Sequence, residues 1–135
     1  MPIDGDLVSP LWVLSIGVFA WIVFFYRCIC RNSRAERRAA ALLREWLSPS
    51  QWSQYQRDLY FDVRGSASGK RYRICHGRSG NVVELDENGA IVATLCFFPE
   101  GELALGDIML AQKIALEADE FKTLAVANRA ALGRR

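Results

Sequence analysis

Residues 7–26, LVSPLWVLSIGVFAWIVFFY, carry no charge, and a run that is apolar on every side cannot serve as the amphipathic surface helix of a small globule. At ~1.5 Å per residue, about 20 helical residues reach roughly 30 Å, the thickness of a bilayer's hydrocarbon core. Twelve of the twenty are Leu, Ile, Val or Phe. Each favours insertion by about 0.3 to 0.6 kcal/mol, together more than Ser9, Ser15 and Gly17 should cost. Pro10 falls in the first turn, where a missing N–H is harmless, and Trp12 and Tyr26 stand near the two ends, where amphipathic rings prefer the headgroup level. These features predict a transmembrane helix over residues 7–29.

A buried core helix usually needs only about 10 to 14 apolar residues and shows a polar stripe. A cleaved signal peptide needs basic residues before the apolar run and a small-residue site after it. Here Asp4 and Asp6 precede the run, and Arg27, Arg31, Arg34, Arg37 and Arg38 follow it. Arginines close to a span are retained on the cytoplasmic side. The expected topology is an inner (plasma) membrane protein with residues 1–6 outside and the body of the chain in the cytoplasm. The five arginines then lie at the membrane surface, each attracted to anionic lipid headgroups by about 1 kcal/mol. Cys28 and Cys30 fall in a reducing compartment, which favours free thiols over a disulfide.

Residues 30–47 read as a basic helical neck, because Ala, Leu, Arg and Glu fill most of RAERRAAALLREWL. Leu42, Leu43, Trp46 and Leu47 recur at spacings of three and four, giving one face that can dock on a domain. Ser48, Pro49 and Gln51 form a helix start signal with a capping box, and the helix that follows would turn Trp52, Tyr55, Gln56 and Leu59 to one side.

From Tyr60 the pattern changes to YFDVRG, KRYRICH, NVVELD and AIVATLCFF, β-branched and aromatic runs separated by turn clusters. Four strands in an antiparallel meander are expected, with Asn88-Gly89 as a type I′ hairpin. Alternation places Phe61, Val63, Tyr72, Ile74, Val83 and Leu85 on the buried face, with one set from Ile91, Ala93, Leu95 and Phe97. Arg64, Arg71, Arg73, Glu84 and Asp86 fall on the other. A helix capped by Asp107 and a shorter one from about Asp119 to Asn128 follow. The fold class is therefore α+β: one N-terminal transmembrane helix, then a domain at 48–128 with four strands flanked by helices, and a basic tail at 129–135.

The net charge of +2 hides an asymmetry: residues 27–78 hold twelve bases and four acids, a net of +8, while residues 79–128 hold two and nine, a net of −7. Arg64, Lys70, Arg71, Arg73 and Arg78, with His76, cluster around the first hairpin and make a candidate partner-binding patch. Such a patch suits an acidic protein surface or nucleic-acid phosphates. Nucleic acid is disfavoured because Phe61 and Tyr72 alternate onto the core face and leave few aromatic platforms. Internal pairing with the acidic half, or pairing with a second copy, would use the same charges.

No catalytic residues are assigned. Cys75 and the lone histidine, His76, are adjacent on one strand and point to opposite faces, so they cannot form a dyad; His76 with Cys96 is left as a geometric option. No C-x-x-C or H-x-x-x-H pair supports a metal site, no cofactor is implied, and HGRSGN lacks the Lys-Ser/Thr of a phosphate-binding loop.

The stretch from Tyr60 to Phe121 resembles a small uncharacterised domain of bacterial and bacteriophage proteins. The likeness rests on Tyr72, Arg73, Ile74, Gly77, Gly80, Asn81, Val82, Leu95, Cys96, Pro99, Asp107, Met109, Leu110, Ala111, Gln112 and Lys113. It implies a prokaryotic or phage source and carries no assigned activity or site. The expectation is a non-enzymatic, single-pass binding or adaptor module that presents a cytoplasmic domain to a macromolecular partner. The alternatives are a phage-encoded membrane effector that works through assembly of its span, and a small-molecule binder or enzyme on the polar sheet face.

Overall fold

The computed structural model describes residues 9–97 and 99–131, and for residues 9–15, 26–32 and 131 the backbone alone. The chain divides into two compact units, Met1–Ala35 and Glu36–Arg135. Helix α1 (Ser9–Trp46) runs without a break from the apolar segment into the basic one. Among the described residues, no helix is long and apolar enough to cross a membrane. Of the expected span at 7–29, Leu7 and Val8 lie outside the described residues, as do the side chains of residues 9–15 and 26–29, Cys28 among them. The side chains of Arg27, Cys30 and Arg31 lie outside them too, whereas Arg34, Arg37 and Arg38 are exposed.

The second unit is an α+β fold. Helix α2 (Pro49–Asp58) starts as expected: Ser48 Oγ accepts from the Gln51 N–H at 3.2 Å and Gln51 Oε1 accepts from the Ser48 N–H at 3.1 Å. Strands β1 (Tyr60–Arg64), β2 (Arg71–Cys75), β3 (Val82–Leu85) and β4 (Ile91–Cys96) form the meander, followed by α3 (Leu105–Ala118) and α4 (Glu120–Val126). The sheet has five strands rather than four. Asn128–Ala131, expected as a helix end and tail, forms β5 and pairs antiparallel with β4, placing Arg129 opposite Leu95. Propensity alone does not mark NRAA as a strand; the open edge of β4 supplies its hydrogen bonds.

Register corrects one face. Val82 pairs with Ile74 and Leu95, and Glu84 pairs with Tyr72 and Ala93, so Val82 and Glu84 share the helix-covered side. Val83 and Leu85 lie on the other side, opposite Arg73 and Arg71. NVVELD has apolar residues at both parities, and the acid is tolerated inward because two cations reach it, as described below. The β3–β4 turn is also not type I′. Gly89 has a φ of 84°, whereas no described non-glycine residue except Leu59 has a positive φ. The Asp86 N–H donates to the Ala90 carbonyl and Asp86 Oδ1 accepts from the Asn88 and Ala90 N–H groups. A three-residue loop with one left-handed glycine satisfies the strand twist as well.

The core lies between the sheet and the helices: Leu43, Leu47, Phe61, Val63, Tyr72, Ile74, Val82, Leu95, Met109, Leu110 and Leu116 pack together. Each large side chain removed from water here contributes about 1.5 to 3 kcal/mol. From α1 the contributors are Ala39 and Leu43, with Leu47 just past its end, four apart, while Leu42 and Trp46 are exposed. Helix α3 is capped from outside its own sequence. Its N-cap position is Ala104, Asp107 stands in the first turn, and the Glu36 carboxylate of α1 accepts the Leu105 N–H at 3.1 Å. On α2, Trp52 and Tyr55 pack on the core as expected, but Gln56 and, at the C-cap, Leu59 are exposed. Gln51 and Gln54 instead bond the backbone C=O and N–H of Asp62 at 2.8 and 3.0 Å. That covers part of the β1 edge, which would otherwise offer unpaired backbone.

Candidate binding cleft

The antiparallel pairing brings two hairpin loops, residues 65–70 and 86–90, to the same end of the sheet. Between them lies a cleft of about 590 Å³, lined by Arg64, Ser68, Lys70, Arg71, Leu85 and Val92, with Glu84, Asp86 and Glu87 at its acidic margin. Arg64 and Arg71 are directly opposite across β1 and β2, and both also line a second, shallow cleft of about 630 Å³ beside Trp46, Ser48 and Lys113.

A buried carboxylate fixes the first loop. Glu120, 1% exposed, accepts from the Ala67 N–H at 2.9 Å, the Ser68 N–H at 2.7 Å, the Ser68 hydroxyl at 2.5 Å and the Tyr72 hydroxyl at 2.6 Å. Burial by itself pushes this carboxyl up, but the donors from Ser68, Tyr72 and Ala67 outweigh it and hold it at about 2. Burial pushes the Tyr72 hydroxyl up, and Glu120 beside it adds to that, so the phenol stays protonated and donates. Gly65 is required here: a Cβ on it would stand 2.3 Å from the Glu120 carboxyl carbon. The loop therefore presents its cationic neighbours from a fixed frame.

The charges of the candidate patch are not equally available. Arg73 is paired with Asp62 at 2.8 Å and lies 3.9 Å over the Tyr60 ring. Arg78, at the opposite end of the sheet, donates to the Leu103 carbonyl at 2.8 Å and lies 3.4 Å from Glu36. Lys70 is bound to Glu84 at 2.8 Å, and Arg129 approaches the other oxygen of that buried carboxylate at 2.7 Å. Arg64 donates to the Gly69 carbonyl at 3.2 Å. Arg71 differs from all of these: its Nε is buried and has no hydrogen-bond partner among the described residues. The geometry thus brings Arg64, Lys70 and Arg71 together and separates Arg73 and Arg78 from them. Glu120 was not legible as part of this site, because its tie to the loop joins residues far apart in sequence.

Among the described residues, neither Cys75, Cys96 nor His76 lines the cleft, and the Ser68 hydroxyl on it donates to Glu120. Burial pushes the Cys75 thiol up, Arg73 opposes that and Asp62 adds to it, so the thiolate is disfavoured. The His76 ring meets the Tyr55 hydroxyl at 2.8 Å instead of a cysteine. Among the described residues, no group of three His, Cys, Asp or Glu side chains is placed to hold a metal ion. Two guanidinium groups in a partly apolar cleft are suited to grip an oxyanion. No family model, no curated protein and no solved structure matches the chain.

Proposed function

We propose that the chain is a membrane-anchored binding module: residues 7–29 insert in the bilayer, the arginines from Arg27 to Arg38 meet anionic headgroups, and residues 48–128 engage a macromolecular partner on the cytoplasmic side of the inner membrane. One observation carries the anchoring. All ten residues from Ile16 to Phe25 are exposed, the large apolar ones by 39 to 72%. An apolar patch that a fold leaves uncovered calls for an apolar surrounding, and the uncharged run in the sequence is the length of a span. The basic residues on one side of it argue for the orientation.

The test is flotation of the full-length chain with vesicles containing anionic lipid, together with protease protection of tags at both ends. Co-flotation that resists salt and is released by detergent, with the C-terminal tag on the cytoplasmic side of inverted membranes, supports the reading. A full-length chain that remains in the aqueous fraction as a monomer without detergent overturns it.

A further inference from the structure

We infer that the cleft between the two hairpin loops takes a carboxylate side chain from an acidic segment of the protein partner, gripped by Arg64 and Arg71. This deepens the binding-module reading and rests on it. Like charges directly opposite on paired strands repel, and Arg64 faces Arg71 with no carboxylate bonded to either one among the described residues. A buried donor with no acceptor is costly; the enclosed Nε of Arg71 has none among the described residues, so an incoming carboxylate would be held by the terminal nitrogens of the two guanidinium groups that line the cleft. The acids that line the cleft bond neither guanidinium among the described residues. Glu84 lies between Lys70 and Arg129, Asp86 Oδ1 holds its own turn, and Glu87 is exposed.

The same surroundings choose the ligand. A carboxylate carries one charge and matches the planar fork of a guanidinium, whereas a phosphate dianion would meet Asp86 and Glu87 at the cleft margin. Leu85 and Val92 supply apolar surface for the methylene groups of a glutamate or aspartate. The Arg71 guanidinium lies against Gly89, where an added Cβ would come within 3.0 Å of Nη2, so the loop glycine leaves room for that arm.

The experiment uses full-length protein in nanodiscs and a fluorescent decapeptide of alternating Glu and Ser, read by anisotropy. Saturable binding is expected, weakened at least tenfold by Arg64→Gln or Arg71→Gln, partly retained by Arg71→Lys, and unchanged by Arg57→Gln in the last turn of α2, which does not line the cleft. Thermal melts of each variant identify any that fail to fold, and Arg71→Lys then decides, since it keeps the charge and loses the fork. No binding by the wild type, equal binding by Arg64→Gln and Arg71→Gln, or displacement by inorganic phosphate more effectively than by free glutamate would overturn the inference. Flotation of the same nanodisc-free protein reports on the anchor separately, so loss of peptide binding with flotation intact sinks the cleft and leaves the membrane reading standing.

Discussion

The Tyr72 hydroxyl donates to the Glu120 carboxylate at 2.6 Å across a separation of 48 residues in sequence, tying the second strand to the start of the last helix. Because the carboxyl is held at about 2 against an ordinary 4.5, the unfolded chain binds more protons than the folded one between those values. The contribution to stability is complete above the ordinary value and disappears as pH falls toward 2, a difference of about 3 kcal/mol. Glu120→Gln should therefore lower stability at pH 7 by about that amount and flatten the dependence between pH 5 and 2. Urea denaturation of both proteins across that range checks this, and parallel pH curves would exclude the role assigned to the carboxylate.

Arg73 and Asp62 should behave as a unit. Their side chains are only partly exposed, the guanidinium makes two bonds to the carboxylate at 2.8 and 3.2 Å, and it also stacks on Tyr60. Arg73→Glu should cost about 2 kcal/mol, more than a surface substitution, because it sets two acids face to face. Adding Asp62→Arg should recover about half of that. Thermal denaturation of the two single variants and the exchanged pair gives the coupling, and additive losses would show that the pair is incidental.

How much of this was legible before the fold was known follows from the range of the interactions. The Ser48 capping box, the four strand positions and the inward parity of Phe61, Val63, Tyr72 and Ile74 are set by neighbours in sequence and were readable. The parity of the third strand was not, since Val82 and Val83 offer the same apolar surface and only the partners of Glu84 decide between them. The fifth strand depends on an edge that another segment provides. Arg64 and Arg71 were visible as charges, but the division of the patch into free and committed arginines depends on Asp62, Glu36 and Leu103, whose approach no local pattern encodes.

Asn81 and Gln112 exchange two hydrogen bonds of 2.9 Å in the core, with Asn81 also donating to the Cys75 carbonyl and Gln112 to that of Phe97. Four buried polar groups are satisfied together. Gln112→Leu should cost about 2 to 3 kcal/mol by leaving the Asn81 amide short of partners, and so should Asn81→Leu. The double variant should cost clearly less than the sum, since neither orphan then exists. Equilibrium unfolding of all four proteins measures this; full additivity would mean the amides act independently.

The seam between the first helix and α3 has no room for a methyl group. A Cβ on Gly106 would stand 2.7 Å from both the carbonyl carbon and the oxygen of Ala39, which are backbone atoms and cannot swing aside. Gly106→Ala should gain at most about 1 kcal/mol from helix propensity and lose about 1 to 3 from overpacking, and because the clash is with backbone the loss falls toward the upper end and destabilisation wins. Glu36→Ala should cost about 1 kcal/mol, because the Leu105 N–H loses its acceptor at the start of α3. Once Gly106→Ala has pushed the helices apart, Glu36 no longer reaches Leu105, and removing it should cost little more. Hydrogen exchange at Leu105 in the single and double variants follows the cap directly: rapid exchange in Gly106→Ala with Glu36 intact is the expected result, and unchanged protection there would show that the seam can absorb the methyl group.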